Sequence, residues 1–194
     1  MIVEQLRKSS TRVCSRPLIR AWFVVVIEYA PTQSPERLHN QSLSLPGGVV
    51  VPYSPLIVNP MKAELTSIGF QELLTSDDVD AFMTDMQGTA LLVINSVCGC
   101  AAGQARPGVH LALQNETRPD HLVTVFAGQE TEATKRARSY FEDIPPSSPC
   151  IALFKDGELV YFVPRHRIES RTAEDVAADL QSAFDRYFAT SPAS

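Results

Sequence analysis

Apolar positions between Tyr53 and Phe188 follow two rhythms. Unbroken, branched runs over residues 90–96 and 121–127 read as strands covered on both faces, because a strand with one wet face would alternate. Cys150–Lys155 and Glu158–Val163 read as two more strands, joined by Asp156-Gly157, a pair suited to a tight hairpin turn. Elsewhere the spacing is helical. Residues 75–86 place Val79, Phe82, Met83 and Met86 on one face behind a Thr75/Asp78 capping box. Residues 172–188 do the same with Val176, Leu180, Phe184, Tyr187 and Phe188 behind Thr172/Asp175. Residues 130–141 gather Ala133, Ala137, Tyr140 and Phe141. A short helix over 61–69 closes at Gly69, and a helix over 101–114 is expected to kink at Pro107, where a backbone donor is missing.

From residue 90 onward the order is strand, helix, strand, helix, strand, strand, helix. A βαβ unit followed by ββα, with cysteines at the end of the first strand and a proline directly before the third, is the order of a thioredoxin-like fold. The predicted class is therefore α/β: a central mixed β-sheet flanked by helices, with the helices before residue 90 added at the N-terminal side. Ser148-Pro149 falls where that fold places a cis-proline facing the cysteines, and X–Pro steps are where cis bonds occur.

Composition adjusts this picture at the start of the chain. The 194 residues are 44% hydrophobic and 20% charged, ordinary for a folded domain, with net charge -5 and pI near 5.4. That balance, without a basic patch interleaved with aromatics, argues against a nucleic-acid surface. Residues 1–50 differ: Arg7, Lys8, Arg12, Arg16 and Arg20 precede the short apolar run 21–27, and a Pro/Ser/Asn-containing stretch follows. The run is far too short to span a membrane. We expect 1–50 to be a disordered extension or the product of a misplaced start, with a presequence as the second reading, and 51–194 to be the folded domain. Cys14, within the extension, is given no role, and residues 189–194 are expected to be loose.

The chemistry sits at Cys98-Gly99-Cys100. Two thiols at a strand-to-helix turn lie where unpaired N–H groups favour the thiolate, which is the nucleophile. Cys98, preceding the helix, is expected to be the more exposed and to have the lower pKa. Closing a ring between residues two apart demands unusual backbone freedom, which Gly99 supplies, and a strained disulfide is readily reduced. Four cysteines are too few and too irregular for a secreted disulfide scaffold, which favours a reducing compartment. Two alternatives remain: a soft-metal module using Cys98 and Cys100 with Cys150 or a histidine, and a non-catalytic adaptor that kept the fold. Structural zinc favours four ligands at wider spacing, so no metal site is assigned. Cys150 reads as a small core residue, His110 and His121 as packing or surface residues, and Arg165-His166-Arg167 as a solvated loop, with a grip on an anionic small thiol as its second reading.

The runs 95–103, Ala105-Arg106-Pro107, 123–129, Pro146-Ser147-Ser148-Pro149, Pro164-Arg165-His166 and Pro60-Met61-Lys62-Ala63-Glu64-Leu65 resemble the bacilliredoxins, over roughly Tyr53 to Tyr187. The resemblance implies a cytoplasmic thiol–disulfide oxidoreductase that removes bacillithiol from mixed disulfides on client proteins, with weaker isomerase activity. It implies no bound cofactor, bacillithiol as the small-thiol co-substrate, client proteins and small thiols as partners, and no nucleic acid or membrane. Carried over, Cys98 is the attacking thiol and Cys100 the resolving one, with Ser148 and Pro149 beside the substrate. Cys150 stands where the family is expected to carry a small non-thiol residue, which raises the prospect of a side disulfide.

Overall fold

The computed structural model describes residues 52–189. The expectations for 1–50, Cys14 included, and for the tail beyond Ala189 lie outside the described residues. Helix α1 spans Pro55–Thr66 and is followed by the two-residue strand β1 (Gln71–Glu72) and helix α2 (Ser76–Thr84). Next come β2 (Thr89–Asn95), a π-helical turn (Ala101–Ala105) that runs into α3 (Arg106–Ala112), β3 (His121–Phe126) and α4 (Thr131–Arg138). The hairpin β4 (Cys150–Lys155) and β5 (Glu158–Val163), a 3₁₀ turn (Arg165–Arg167) and α5 (Ala173–Tyr187) complete it.

Five strands form one sheet in the order β1-β3-β2-β4-β5. β2 runs parallel to β3 and antiparallel to β4, so the sheet is mixed, as a thioredoxin-like fold requires. All seven residues of β2 are buried, which explains why its sequence does not alternate. Leu91 and Val93 face one core with Val109, Ile151, Leu153, Val176, Leu180 and Phe184, between the sheet and α3/α5. Ala90, Leu92 and Ile94 face the other core with Val79, Met83, Ala133, Ala137 and Phe154, under α2 and α4. The two helix layers hold β2 in the middle of the sheet, and the turn after it at the sheet's end.

Local chemistry closes the elements where expected. Thr75 and Asp78, and Thr172 and Asp175, both form complete capping boxes. Asp156 and Gly157 take φ of 50° and 83°, the pair of positive torsions the hairpin needs. Beyond the turn, Leu153 faces Tyr161 but Phe154 faces Leu159, leaving Val160 as the extra residue of a β-bulge.

Three elements depart from the sequence expectation. Helix α1 begins at Pro55, six residues before the expected Met61, because a proline at the first helical position lacks only a donor with no intrahelical use. Pro60 is then carried inside the helix; it leaves without a partner the carbonyl of Leu56, a residue 88% exposed and so open to water. The kink expected at Pro107 is a π-helical turn just before it, which widens the backbone so that Pro107 falls in the first turn of α3. Strand β1 has no counterpart in the hydrophobic pattern: two polar residues pair in parallel with Val123 and Thr124, and the Leu73 N–H continues the ladder to the Thr124 carbonyl at 2.9 Å. Lys62 of α1 holds this edge, bridging Glu72 at 2.7 Å and Glu130 at 2.6 Å.

Candidate active site

The site starts from a polar residue at the end of an apolar strand. Asn95 is 1% exposed, so each of its amide atoms needs a partner. Its Oδ1 accepts from the Ser96 N–H at 2.8 Å and from Arg106 Nη1 at 3.1 Å, and its Nδ2 donates to the Met61 carbonyl at 3.3 Å. Arg106, itself 3% exposed, also donates from Nη1 to the Ser96 carbonyl at 3.3 Å. Its Nε and Nη2 reach the two oxygens of Glu64 at 2.7 and 3.1 Å. A buried guanidinium is tolerable only when its charge is paired and its nitrogens are hydrogen-bonded, and here Glu64 pairs the charge while Nε, Nη1 and Nη2 all find acceptors. This clamp fixes the backbone of Asn95 and Ser96 two residues before Cys98.

On that floor the thiols are differently tuned. Cys98 and Cys100 are both half-buried free thiols, so the greater exposure expected of Cys98 is not found. Charge and hydrogen bonding separate them instead. Burial works against a thiolate at Cys98, but it is outweighed. The Cys100 thiol donates to the Cys98 sulfur, as do the Ser96 hydroxyl at 3.3 Å and the Ala101 N–H, and the Arg165 charge adds to them. Cys98 is thereby held below the ordinary thiol range. Burial, the bond it donates to Cys98 and the Cys98 charge push Cys100 up to about 11, against a small pull from Arg165. Gly99 has no left-handed torsion and a Cβ built there meets nothing within 4 Å, so the free-thiol form does not need a glycine at this position.

Strand register brings the second loop alongside. Ile94 at the end of β2 is the Cα partner of Cys150 at the start of β4, so the turn 96–100 and the loop 147–149 lie side by side. Ser148-Pro149 is a cis peptide, as the sequence order predicts. The loop is held from two directions: Arg138 Nη2 donates to the Ser147 carbonyl at 3.1 Å, and the Arg165 N–H to Ser147 Oγ at 3.4 Å. Arg165 Nη1 lies 3.4 Å from the Ser148 carbonyl. Cys150 is 1% exposed and its thiol is pushed up to about 12, chiefly by burial, which makes it a core residue and not a reacting one.

Cys98, Cys100, Ser148 and Pro149 are therefore gathered at one end of the sheet. His110 is exposed on α3, and His121 packs edge-on against Phe82 at the opposite end of β3. Among the described residues no group of three or more His, Cys, Asp or Glu could hold a metal ion, so the soft-metal alternative finds no third donor among them. Sequence reasoning missed the Asn95–Arg106–Glu64 clamp, although an asparagine closing an otherwise apolar strand is a signal that polar partners must be near. For Arg165 the sequence favours a solvated loop over a grip on an anionic small thiol; in the structure it is a third exposed, is bonded to the loop 147–149, and its charge favours thiolate at both cysteines. Among the described residues no helix is long and apolar enough to cross a membrane.

Comparison with known proteins bears on this geometry. Residues 53–188 match the family described as "Disulphide isomerase". The chain is 52% identical over 136 residues to a bacilliredoxin of Geobacillus kaustophilus, covering 70% of this chain and 94% of that one. It is 55% identical over 133 residues to a bacilliredoxin of Cytophaga hutchinsonii, covering 69% and 98%. Oxidised thioredoxin from Plasmodium falciparum superposes with a TM-score of 0.44 at 16% identity, over 62% of this chain and 100% of that one.

Proposed function

Because the chain belongs to the bacilliredoxin family, we propose that it removes bacillithiol from mixed disulfides on other proteins, by thiol–disulfide exchange that begins at Cys98. Membership of that family and the thioredoxin-like fold make it a thiol–disulfide oxidoreductase. The observation that carries the finer reading is the division of labour between the thiols, one held toward thiolate and its neighbour held protonated at about 11.

In the first step the Cys98 thiolate attacks the bacillithiol sulfur of the client disulfide. A Cys98–bacillithiol bond forms as the client's bond to that sulfur breaks, and the client leaves as a thiolate that takes a proton from water. Cys100 must stay out of this step, and its raised pKa keeps it protonated. Once Cys98 is consumed, the charge and hydrogen bond that raised Cys100 are gone, so Cys100 loses its proton more easily. It then attacks the Cys98 sulfur, closing the ring across Gly99 and expelling bacillithiol as a thiolate. The ring is the oxidised product, and a thiol reductant returns it to the dithiol. A second small thiol attacking the Cys98 adduct directly is the alternative release. Ser148 and Pro149 would line the client's path, although an extended client pairing there meets a Ser148 carbonyl already shared with Arg165.

The test is to mix reduced protein with a bacillithiolated client and follow client release and adducts by intact mass, with Cys98→Ser and Cys100→Ser in parallel. Wild type should free the client, Cys98→Ser should not, and Cys100→Ser should accumulate one bacillithiol on Cys98. Unreactive thiols in the wild type would leave the adaptor reading.

A further inference from the structure

We propose that Arg165 forms an anion subsite for the small-thiol half of the mixed disulfide, so that the site selects disulfides of carboxylate-bearing small thiols over neutral ones. The inference deepens the exchange reaction proposed above and rests on it.

Placement is the first support. The turn 96–100 and the loop 147–149 are neighbours through the Ile94–Cys150 register, and Arg165 is bonded to the second of them. It bonds Ser147 and Ser148 through its N–H and Nη1, and its charge reaches both sulfurs. A sulfur attacked by Cys98 must come into contact with it, so the rest of a small thiol extends over the neighbouring loop 147–149, to which Arg165 is bonded.

Anchoring is the second. The 3₁₀ turn Arg165–Arg167 is not loose: Ile168 is fully buried in the core between the sheet and α5. Asp179 of α5 accepts from Arg167 at 2.6 Å and also from Arg171. The turn therefore holds the guanidinium at a fixed address while leaving its side chain 35% exposed.

Availability is the third. Nε of Arg165 pairs with Glu169, four residues on, at 2.8 Å, with both side chains well exposed (35% and 45%). Such a pair contributes little and exchanges easily. The 3.4 Å contact to the Ser148 carbonyl is long for a hydrogen bond, and among the described residues Nη2 has no partner. A guanidinium presents a rigid fork matched to a carboxylate, and this one retains donors to offer. Arg106 shows the contrast: its fork is already filled by Glu64, Asn95 and the Ser96 carbonyl.

The experiment uses one client peptide disulfide-linked to 3-mercaptopropionate and, separately, to its amide, which has the same shape without the charge. Client release by reduced protein is measured for each, and each rate is divided by that with dithiothreitol to remove intrinsic reactivity. At low salt the wild type should prefer the acid by about fivefold. In Arg165→Gln that ratio should fall to about one, with the amide rate falling less than the acid rate. Glu169→Gln, which releases the guanidinium, should raise the ratio. Equal losses on acid and amide in Arg165→Gln, a wild-type ratio of one, or no rise in Glu169→Gln would overturn the subsite. Those results leave the exchange reaction standing; only a wild type inert toward both probes and toward the bacillithiolated client removes the reading beneath it.

Discussion

The floor and the rim of the site each use an arginine, and they use it in opposite ways. Arg106 is 3% exposed, and its charge is neutralised by Glu64 while its remaining donors shape the backbone at Asn95 and Ser96. Arg165 sits a third exposed on an anchored turn, its charge directed at sulfur and only loosely balanced by Glu169. The same side chain is a structural clamp where water is excluded and an electrostatic tool where water is admitted. Burial decides which role a guanidinium takes, because desolvation makes an unpaired one intolerable and solvent makes a paired one replaceable.

The comparison can be broken by experiment. The largest effect is expected at the thiol that the floor supports: Cys98→Ser should lower client release by about a thousandfold or more, since a hydroxyl is not appreciably ionised at neutral pH. Next is the floor itself. Glu64→Ala leaves Arg106 buried without its counter-charge and should destabilise the fold by about 2–4 kcal/mol, read from urea midpoints. Glu169→Ala, an equally exposed carboxylate whose arginine partner is itself a third exposed, should change stability by less than about 0.5 kcal/mol. If the two cost the same, the contrast between floor and rim fails.

Alkaline pH sharpens the comparison of thiols. The folded values of about 11 for Cys100 and about 12 for Cys150 lie above the ordinary thiol value near 8.5, so above that pH the unfolded chain holds fewer protons. Stability of the reduced protein should therefore fall as pH rises from about 8.5 toward those values. Cys98 acts with the opposite sign: its contribution is present above about 8.5 and is lost as pH falls through its lower folded value. Cys150→Ala should flatten the alkaline loss in urea midpoints measured between pH 8 and 10, and an unchanged slope would show that Cys150 ionises freely. The smallest effect is expected at Gly99. Gly99→Ala should stabilise the reduced form by about 0.5–1 kcal/mol, as its Cβ meets open space, while slowing closure of the ring to Cys100.

What could be read in advance was what neighbours in sequence decide among themselves. The capping boxes at Thr75 and Thr172, the hairpin at Asp156-Gly157 and the buried stripe of α5 each depend on residues within a few positions. The cis Ser148-Pro149 step and the Cys98/Cys100 turn were legible because fold order located them. The clamp was not, because Glu64, Asn95 and Arg106 are 31 and 11 residues apart and nothing local distinguishes a buried arginine from a solvated one. Arg165 was legible only as a second reading, because its neighbour His166 is exposed and nothing local shows that Arg165 is bonded to the loop 147–149. Strand β1 escaped because its two residues owe their conformation to β3.

That small strand has a bearing on how the molecule behaves in a crowd. A sheet's outermost strands carry unpaired backbone groups that invite another chain to add on, and proteins blunt them by shortness, charge or distortion. Here one margin is two residues long and tied down by the Lys62–Glu72 ion pair, and the other, β5, is bent by the extra Val160. Neither offers a long flat template, so strand-to-strand self-association and fibre growth are disfavoured at both margins of the sheet. Losing the Lys62–Glu72 tie would open the β3 margin first, and turbidity of concentrated Lys62→Ala protein would report it.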